Sequence, residues 1–493
     1  MWLMLSVLIV VALLATTSSS QPALPAFPKA QGFGATATGG RGGRVVFVTN
    51  LRSSGAGSLQ AALDQRGPRT ILFRVSGVVE GVPIASSGDF TLAGQSSPSG
   101  ITLRGLMIQG DSVCEEDSCP LPKIAPSNFI VRYLRLRAPL PDGSDGDGLR
   151  LHRAKRGIID HVSVGNATDE AIQISLSSDI TIQHSLIAET LGEHNDLGGM
   201  LINYADPKRG YPLTRLSIHH NVWSRIGGRM PEVSSENPSS SNSTIQIEIS
   251  NNVLHDHTYP IFLAQTSVVN APNRGYDTAP IYYRANIVGN LSLQNPQLRT
   301  SVGLVTLEGA GSPEDGYLPR GTPTKVFMLD NRTTSALSLR DWQLVYCCND
   351  YREAAQNLEL PFLQTGPSWA SATRLEDLSS IAYTPSADLL SSFSVGASPL
   401  DAFDTRILKF VRTATFDATP RNRNPYGDAL TQPQRTPLVA PQDSDDDGMP
   451  DSWEQTNGLD PRVADANATL LSQRLLAGQP YTNLEVYLMQ LAR

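Results

Sequence analysis

The segment Asp443-Ser-Asp445-Asp-Asp447-Gly448-Met449-Pro-Asp451-Ser-Trp-Glu454 sets carboxylates at relative positions 1, 3, 5, 9 and 12, with glycine at 6. This is the spacing of a calcium loop. Oxygen donors so placed suit a hard cation, and Gly448 allows the sharp turn. The expected ligands are Asp443, Asp445, Asp447, Asp451 and Glu454, with the Met449 carbonyl at position 7. A merely solvated acidic run rarely places both the glycine and the final glutamate so well. A second loop starting at Asp465 loses its later acids in Asp465-Ala-Asn-Ala-Thr. Another acidic stretch, Asp-Gly-Ser-Asp145-Gly-Asp147-Gly, reads by itself as a turn. The four cysteines, Cys114, Cys119, Cys347 and Cys348, lack partners at zinc-like spacing and allow three disulfide pairings.

The elements that hold such residues follow from the whole chain. It has 493 residues, net charge −8 and only 17% charged residues, so neither a coiled coil nor a basic nucleic-acid binder fits. Forty glycines and 34 prolines favour short strands and turns over long helices. Leu3 to Ala15 is almost unbroken apolar sequence, too short to span a bilayer and right for a signal peptide over residues 1–20. No later run reaches membrane-spanning length. A secreted, extracellular protein that leaves the membrane is therefore expected, and a monomer. Sequons at Asn166, Asn242, Asn290, Asn331 and Asn467 would mark surface positions in a glycosylated protein.

Short strands recur with similar corners. Ile159-Asp160-His161, Ile182-Gln183-His184, Ile218-His219-His220, Ile249-Ser250-Asn251 and Tyr283-Arg284-Ala285 follow one another at steps of 23, 36, 31 and 34 residues. A strand-based repeat of that length predicts a solenoid whose stacked coils share one core. Asparagines at repeated corners can hydrogen-bond to the coils above and below. Irregular spacing and few hairpin dipeptides favour a right-handed parallel β-helix over a sandwich. The predicted organisation is a β-helix over 21–418, a Pro-rich linker over 419–442 and a small calcium-loop module over 443–493, closed by a short helix from Tyr481.

The opening Gly32-Phe-Gly-Ala-Thr-Ala-Thr-Gly-Gly-Arg-Gly-Gly-Arg-Val-Val-Phe-Val-Thr-Asn-Leu, then Gly57-Ser-Leu-Gln-Ala-Ala-Leu, resembles the start of the pectate lyase superfamily. So do Ile130-Val-Arg-Tyr-Leu-Arg-Leu-Arg137, Ile158-Ile-Asp160-His161 and Gly396-Ala-Ser-Pro-Leu-Asp401-Ala-Phe-Asp404-Thr-Arg406-Ile407. The resemblance covers roughly 27–415, and the acidic tail resembles a type 3 or EF-hand-like calcium repeat.

The resemblance implies a calcium site on parallel strands. Asp147 falls on the first acid of that site, Asp145 on a second used by some members, and Asp169 on the start of an acidic stretch. That stretch ends in Gln173 where the family has an acid. Glu170 is expected to face the opposite side of its strand. In His220-Asn-Val-Trp-Ser-Arg225-Ile-Gly-Gly-Arg229-Met-Pro231-Glu232-Val-Ser234, Arg229 falls on the family's base, while Glu232 and Ser234 replace two substrate-gripping arginines. The family's lysine falls near Glu193 and His194 and is absent. His194 is an alternative base, and His194 and Arg225 are assigned to substrate binding.

The implied reaction is β-elimination on an acidic plant or algal cell-wall polysaccharide. The C5 proton beside a uronate carboxyl is too weakly acidic to leave in water. Calcium on the carboxylate stabilises developing charge, and a base must reach C5. Arginine is an awkward base because guanidinium stays protonated. Without the resemblance, Arg229 reads as a structural partner of Glu232 or Asp160. Two other readings stay open: a non-catalytic glycan-binding β-helix, and a glycoside hydrolase using Asp147 with Asp169.

Overall fold

The computed structural model describes residues 23–112, 120–137, 146–191, 198–234, 236–264, 281–297, 303–308, 324–339, 341–347, 363–364, 381–397, 399–418, 426–428, 439–476 and 478–492. The leader over 1–20, most of the linker and the cysteine pairings lie outside the described residues. No described helix is long and apolar enough to cross a membrane.

Each coil contributes one strand to each of three sheets. Among the described residues, sheet A has eleven strands, from Arg44–Val48 to Leu363–Gln364, sheet B nine, from Gly77–Val78 to Arg332–Thr333, and sheet C nine, from Ile84–Ala85 to Val345–Cys347. Neighbouring strands pair in parallel throughout, as in Ile159↔Ile182, Ile182↔Ile218 and Ile218↔Ile249. The chain is a right-handed parallel β-helix, the hand expected of parallel crossovers. Alternation places Ile159, Ile182, Ile218, Ile249 and Ile287 inside, each essentially fully buried. Each such side chain contributes about 1.5–3 kcal/mol.

The fifth coil corrects the repeat alignment. Ile249 pairs with Ile287, so the equivalent corner is Gly289-Asn290 and not Ala285-Asn286. The reason is the asparagine ladder. Asn221 Nδ2 donates to Asn252 Oδ1 at 3.2 Å, Asn252 to Asn290 at 3.0 Å and Asn290 to Asn331 at 2.9 Å. Asn290 and Asn331 are therefore fully buried, and Asn166 nearly so. These three sequons are not surface positions; Asn242 and Asn467 are exposed.

A second ladder stands at the preceding corner residue. Tyr133, His161, His184 and His220 stack with ring centroids 4.8, 5.1 and 5.0 Å apart. All four have left-handed backbones, with φ between 48° and 56°. Burial above all pushes His184 down to about 4 and His220 down to about 3. In the unfolded chain they titrate near 6.5. The folded form holds them neutral, so their contribution is full above pH 6.5 and is lost as pH falls towards 4. The calcium-loaded protein should show a falling urea midpoint over this range. His184→Asn, which imitates Asn251 two coils further on, should flatten that slope; an unchanged slope would contradict the account.

The amphipathic helix Ala402–Arg412 seals sheet B. Phe403, Ile407, Leu408 and Val411 pack on Leu186, Val222, Val253 and Leu293. Gly165 permits the approach, since a Cβ there would lie 2.4 Å from the Phe403 ring. Beneath, Arg137 is wholly buried and donates to Asp401 at 3.0 Å and Asp404 at 2.7 Å.

The helices Asp451–Asn457, Leu470–Leu475 and Asn483–Leu491 form a small unit, the last opened by a Thr482/Glu485 capping box. This unit lies against the outer face of sheet A's first coils. Its Met449, Leu484 and Leu488 share an apolar cluster with Val45, Phe47, Leu72 and Ala93.

Candidate functional site

The turns that enter sheet C carry the site residues expected from the sequence. Asp147 precedes the strand Leu149–His152, Asp169 and Glu170 precede Ile172–Ser175, and Arg229 precedes Glu232–Val233. Register holds these turns together. Gly148 N donates to Glu170 O at 3.0 Å, Ala171 N to Gly198 O at 2.8 Å and Ile172 N to Gly199 O at 3.0 Å.

Asp147, Asp169 and Glu170 each bring a carboxylate oxygen within 4.8 Å of the others. Asp147 and Glu170 are 8% and 4% exposed, so these like charges meet with little water between them. Burial first, then the hydrogen bond and charge of Asp169, push the Glu170 carboxyl up to about 8, while Arg229 pulls it the other way. Close, buried carboxylate oxygens are the donor set a hard cation takes. The residues present therefore fit calcium.

Glu170 corrects the sequence reading. Strand alternation predicted that it would point away, but the chain bends at 168–171 and alternation does not apply there. Glu170 joins the acids and also accepts from Arg229 Nη1, while Arg229 Nε donates to Glu232 Oε2 at 2.9 Å. Of the two structural partners considered for Arg229, Glu232 is one; Asp160 is elsewhere, bound by Arg132 at 2.7 Å and by Gln183 at 2.6 Å. Arg229 has φ +63° and its side chain is 12% exposed. Gln173 sits within the strand Ile172–Ser175 that follows Glu170, with Arg150 and Leu201 as its Cα partners. Asp145 and His194 lie outside the described residues.

Arg225 was expected to touch substrate and does not reach the surface. Its guanidinium is fully buried, 2.8 Å from Glu189 and 3.6 Å from Asp256. Glu189 also receives Arg406 at 2.8 Å, so this network ties the coil to the sealing helix. The outer row of sheet C instead presents Arg150, Gln173, Leu201, Glu232 and Phe262 in register. Arg150 was missed because it belongs to no recognised motif; alternation between the buried Leu149 and Leu151 could have found it.

The acidic tail also folds differently from its linear pattern. Asp443, Asp445 and Asp447 form one acid group; Asp447, Glu454 and Asp465 form another. Asp451, the expected position-9 ligand, turns back on Ser444 and accepts from its N and Oγ, both at 2.7 Å. It opens the helix and so closes the loop on itself. Gly448 has φ +97°, and a Cβ there would meet Leu72 at 2.5 Å. Met449 is fully buried, its N–H donating to Asp447 Oδ1 at 3.0 Å. Burial and the surrounding acids push Glu454 up to about 7, and burial above all pushes Asp447 up to about 6.

No family model matches the chain. It is 29% identical over 491 residues to "Probable pectate lyase C" of Aspergillus fumigatus, covering 96% of this chain and 95% of that protein. The protein of the same name from Neosartorya fischeri is 29% identical over 487 residues, with the same coverage. That of Aspergillus flavus is 41% identical over 182 residues, covering 36% of this chain and 40% of its own length. Among solved structures, the cedar pollen allergen jun a 1 aligns at 14% identity with a TM-score of 0.47, covering 75% of this chain and 92% of the allergen.

Proposed function

We infer that this chain, similar over nearly its whole length to fungal proteins named probable pectate lyases, is a polysaccharide lyase that cleaves acidic uronate polymers by calcium-assisted β-elimination. One observation carries the reading: coils in register bring Asp147, Asp169, Glu170 and Arg229 together at the N-terminal ends of neighbouring strands of sheet C. Pectate and related plant or algal cell-wall polysaccharides are the proposed substrates. The apolar run at Leu3–Ala15 supports export to the cell exterior.

Asp147, Asp169 and Glu170 would hold the calcium, with Gln173 and Asp145 as the further ligands proposed from the sequence. When bound, calcium supplies positive charge against the uronate carboxylate and so favours charge building at C5. Arg229 is the proposed base. Acting as neutral guanidine, it takes the C5 proton; the electron pair forms the C4–C5 double bond, the C4–O bond breaks, and solvent water protonates the departing oxygen. Glu170 and Glu232 hold its flat fork in one orientation. Glu170 faces both Arg229 and the other acids, so loading the acid cluster changes what Arg229 is paired with.

Glu232 and Ser234 stand where the superfamily grips substrate with arginines. Arg150, beside Gln173 on the outer row, supplies a positive charge further along the same face. Removing a charge-assisted bond to a uronate weakens binding by about 1.5–3 kcal/mol, or roughly 10- to 150-fold. Arg150→Ala should therefore raise KM by about that factor with kcat little changed. A panel of pectate, pectin and other uronate polymers, with and without chelator, tests the whole reading. Activity on at least one of them, lost on chelation, is expected; cleavage that ignores chelator on every polymer would overturn the calcium-assisted mechanism.

A further inference from the structure

The C-terminal acids make more than a loop. Glu454 is fully buried, and neither of its carboxylate oxygens has a hydrogen-bond partner. Asp443 Oδ1 and Asp445 Oδ2 are likewise buried without a partner. A buried carboxylate oxygen without a partner is costly, and here four of them share one neighbourhood. Asp447 belongs to both acid groups and joins them. Asp465 enters from beyond the helix Asp451–Asn457. Its N–H donates to Asp447 Oδ2 at 3.0 Å, and its Oδ1 accepts from Asn483 Nδ2 at 3.0 Å. The position thus connects the acidic turn, the first helix and the closing helix Asn483–Leu491.

The same turn grips the β-helix. Arg74, 3.5 Å above the Phe47 ring, reaches Asp443 at 3.1 Å and Asp446 at 2.6 Å. Arg41 binds Glu485 at 2.7 Å, Asn467 Nδ2 donates to Gly43 O at 3.0 Å and Tyr133 Oη to Ala492 O at 3.0 Å. Between these polar contacts lies the apolar cluster of Met449, Leu484 and Leu488 with Leu72 and Ala93.

We propose that a calcium ion held by Asp443, Asp445, Asp447 and Glu454, with Asp465 and not Asp451 as the further carboxylate ligand, sets this unit as a clamp on the first coils of the β-helix. This rests on the calcium reading of the acidic turn and extends it in two respects: the ligand set and the coupling. With the ion present, the buried carboxylates are satisfied and the turn holds Gly448 and Met449 against Leu72. Without it, their repulsion loosens the turn, and the outer face of Arg44–Val48 and Arg69–Phe73 loses its cover.

The full-length protein is titrated with calcium alone by calorimetry, and amide exchange is followed with and without the ion. Asp465→Asn should weaken one class of calcium sites about tenfold or more, whereas Asp451→Asn should leave it nearly unchanged. Glu454→Gln, isosteric in its buried place, should also abolish that class while folding normally without calcium. Calcium should slow exchange in Arg44–Val48 and Arg69–Phe73 of the native chain, and not in Glu454→Gln. The reverse ranking of Asp451 and Asp465 would overturn the ligand set. Calcium binding that leaves exchange in those two strands unaltered would overturn the clamp. Identical titrations for the native chain and Glu454→Gln would remove the site altogether, leaving the groove reading untouched.

Discussion

Arg229→Ala lowers elimination by about 10²–10⁴-fold, the range for loss of a positioned acid–base group. Calcium affinity changes far less than turnover. Arg229→Lys also fails, because an ammonium cannot span Glu170 and Glu232 as the guanidinium fork does. The substitution leaves those carboxylates without their shared cation, so the variant should be compared with the native protein in saturating calcium. Circular dichroism and the thermal midpoint then separate lost chemistry from lost folding. Full activity in Arg229→Ala together with its loss in His194→Ala would make the imidazole the base.

Arg137→Ala costs about 3–5 kcal/mol of stability, the consequence of removing one partner from a buried ion pair. Arg137 is fully buried, and Asp401, which caps the sealing helix, and Asp404 in its first turn depend on it. Arg135, 3.6 Å from Asp401, does not replace it. The guanidinium also lies 4.4 Å from the Phe403 ring centroid, so the substitution opens a gap under the helix. Denaturant unfolding measures the effect. A loss below about 1 kcal/mol would mean that the pair is no better than a surface one.

This ion pair explains why two distant motifs were legible. Ile130 to Arg137 and Gly396 to Ile407 are far apart in the chain and touch in the fold. Their charged residues read as a pattern because each is needed by the other. The repeating corners were legible for a similar reason, since a ladder requires the same residue type coil after coil. The alignment slipped only where Ala285-Asn286 imitated the true corner at Asn290. Chain-local patterns failed where tertiary contacts decide. Glu170 was placed by a bend and not by strand alternation. Asp451 fits the loop spacing yet is taken by Ser444, while Asp465, outside that spacing, arrives through Asp447 and Asn483. Asn290 and Asn331 look like glycosylation sites until the ladder buries them.

The most direct test of the central claim is the chemistry of the cleaved end. The purified full-length protein is incubated with polygalacturonate and calcium while ultraviolet absorbance and reducing ends are followed together. β-Elimination leaves a 4,5-unsaturated uronate, so absorbance should rise in proportion to new reducing ends and stop when chelator is added. Reducing ends without absorbance would reveal hydrolysis, and neither signal on any uronate polymer would mark a β-helix that binds glycan without cleaving it; either result contradicts the account.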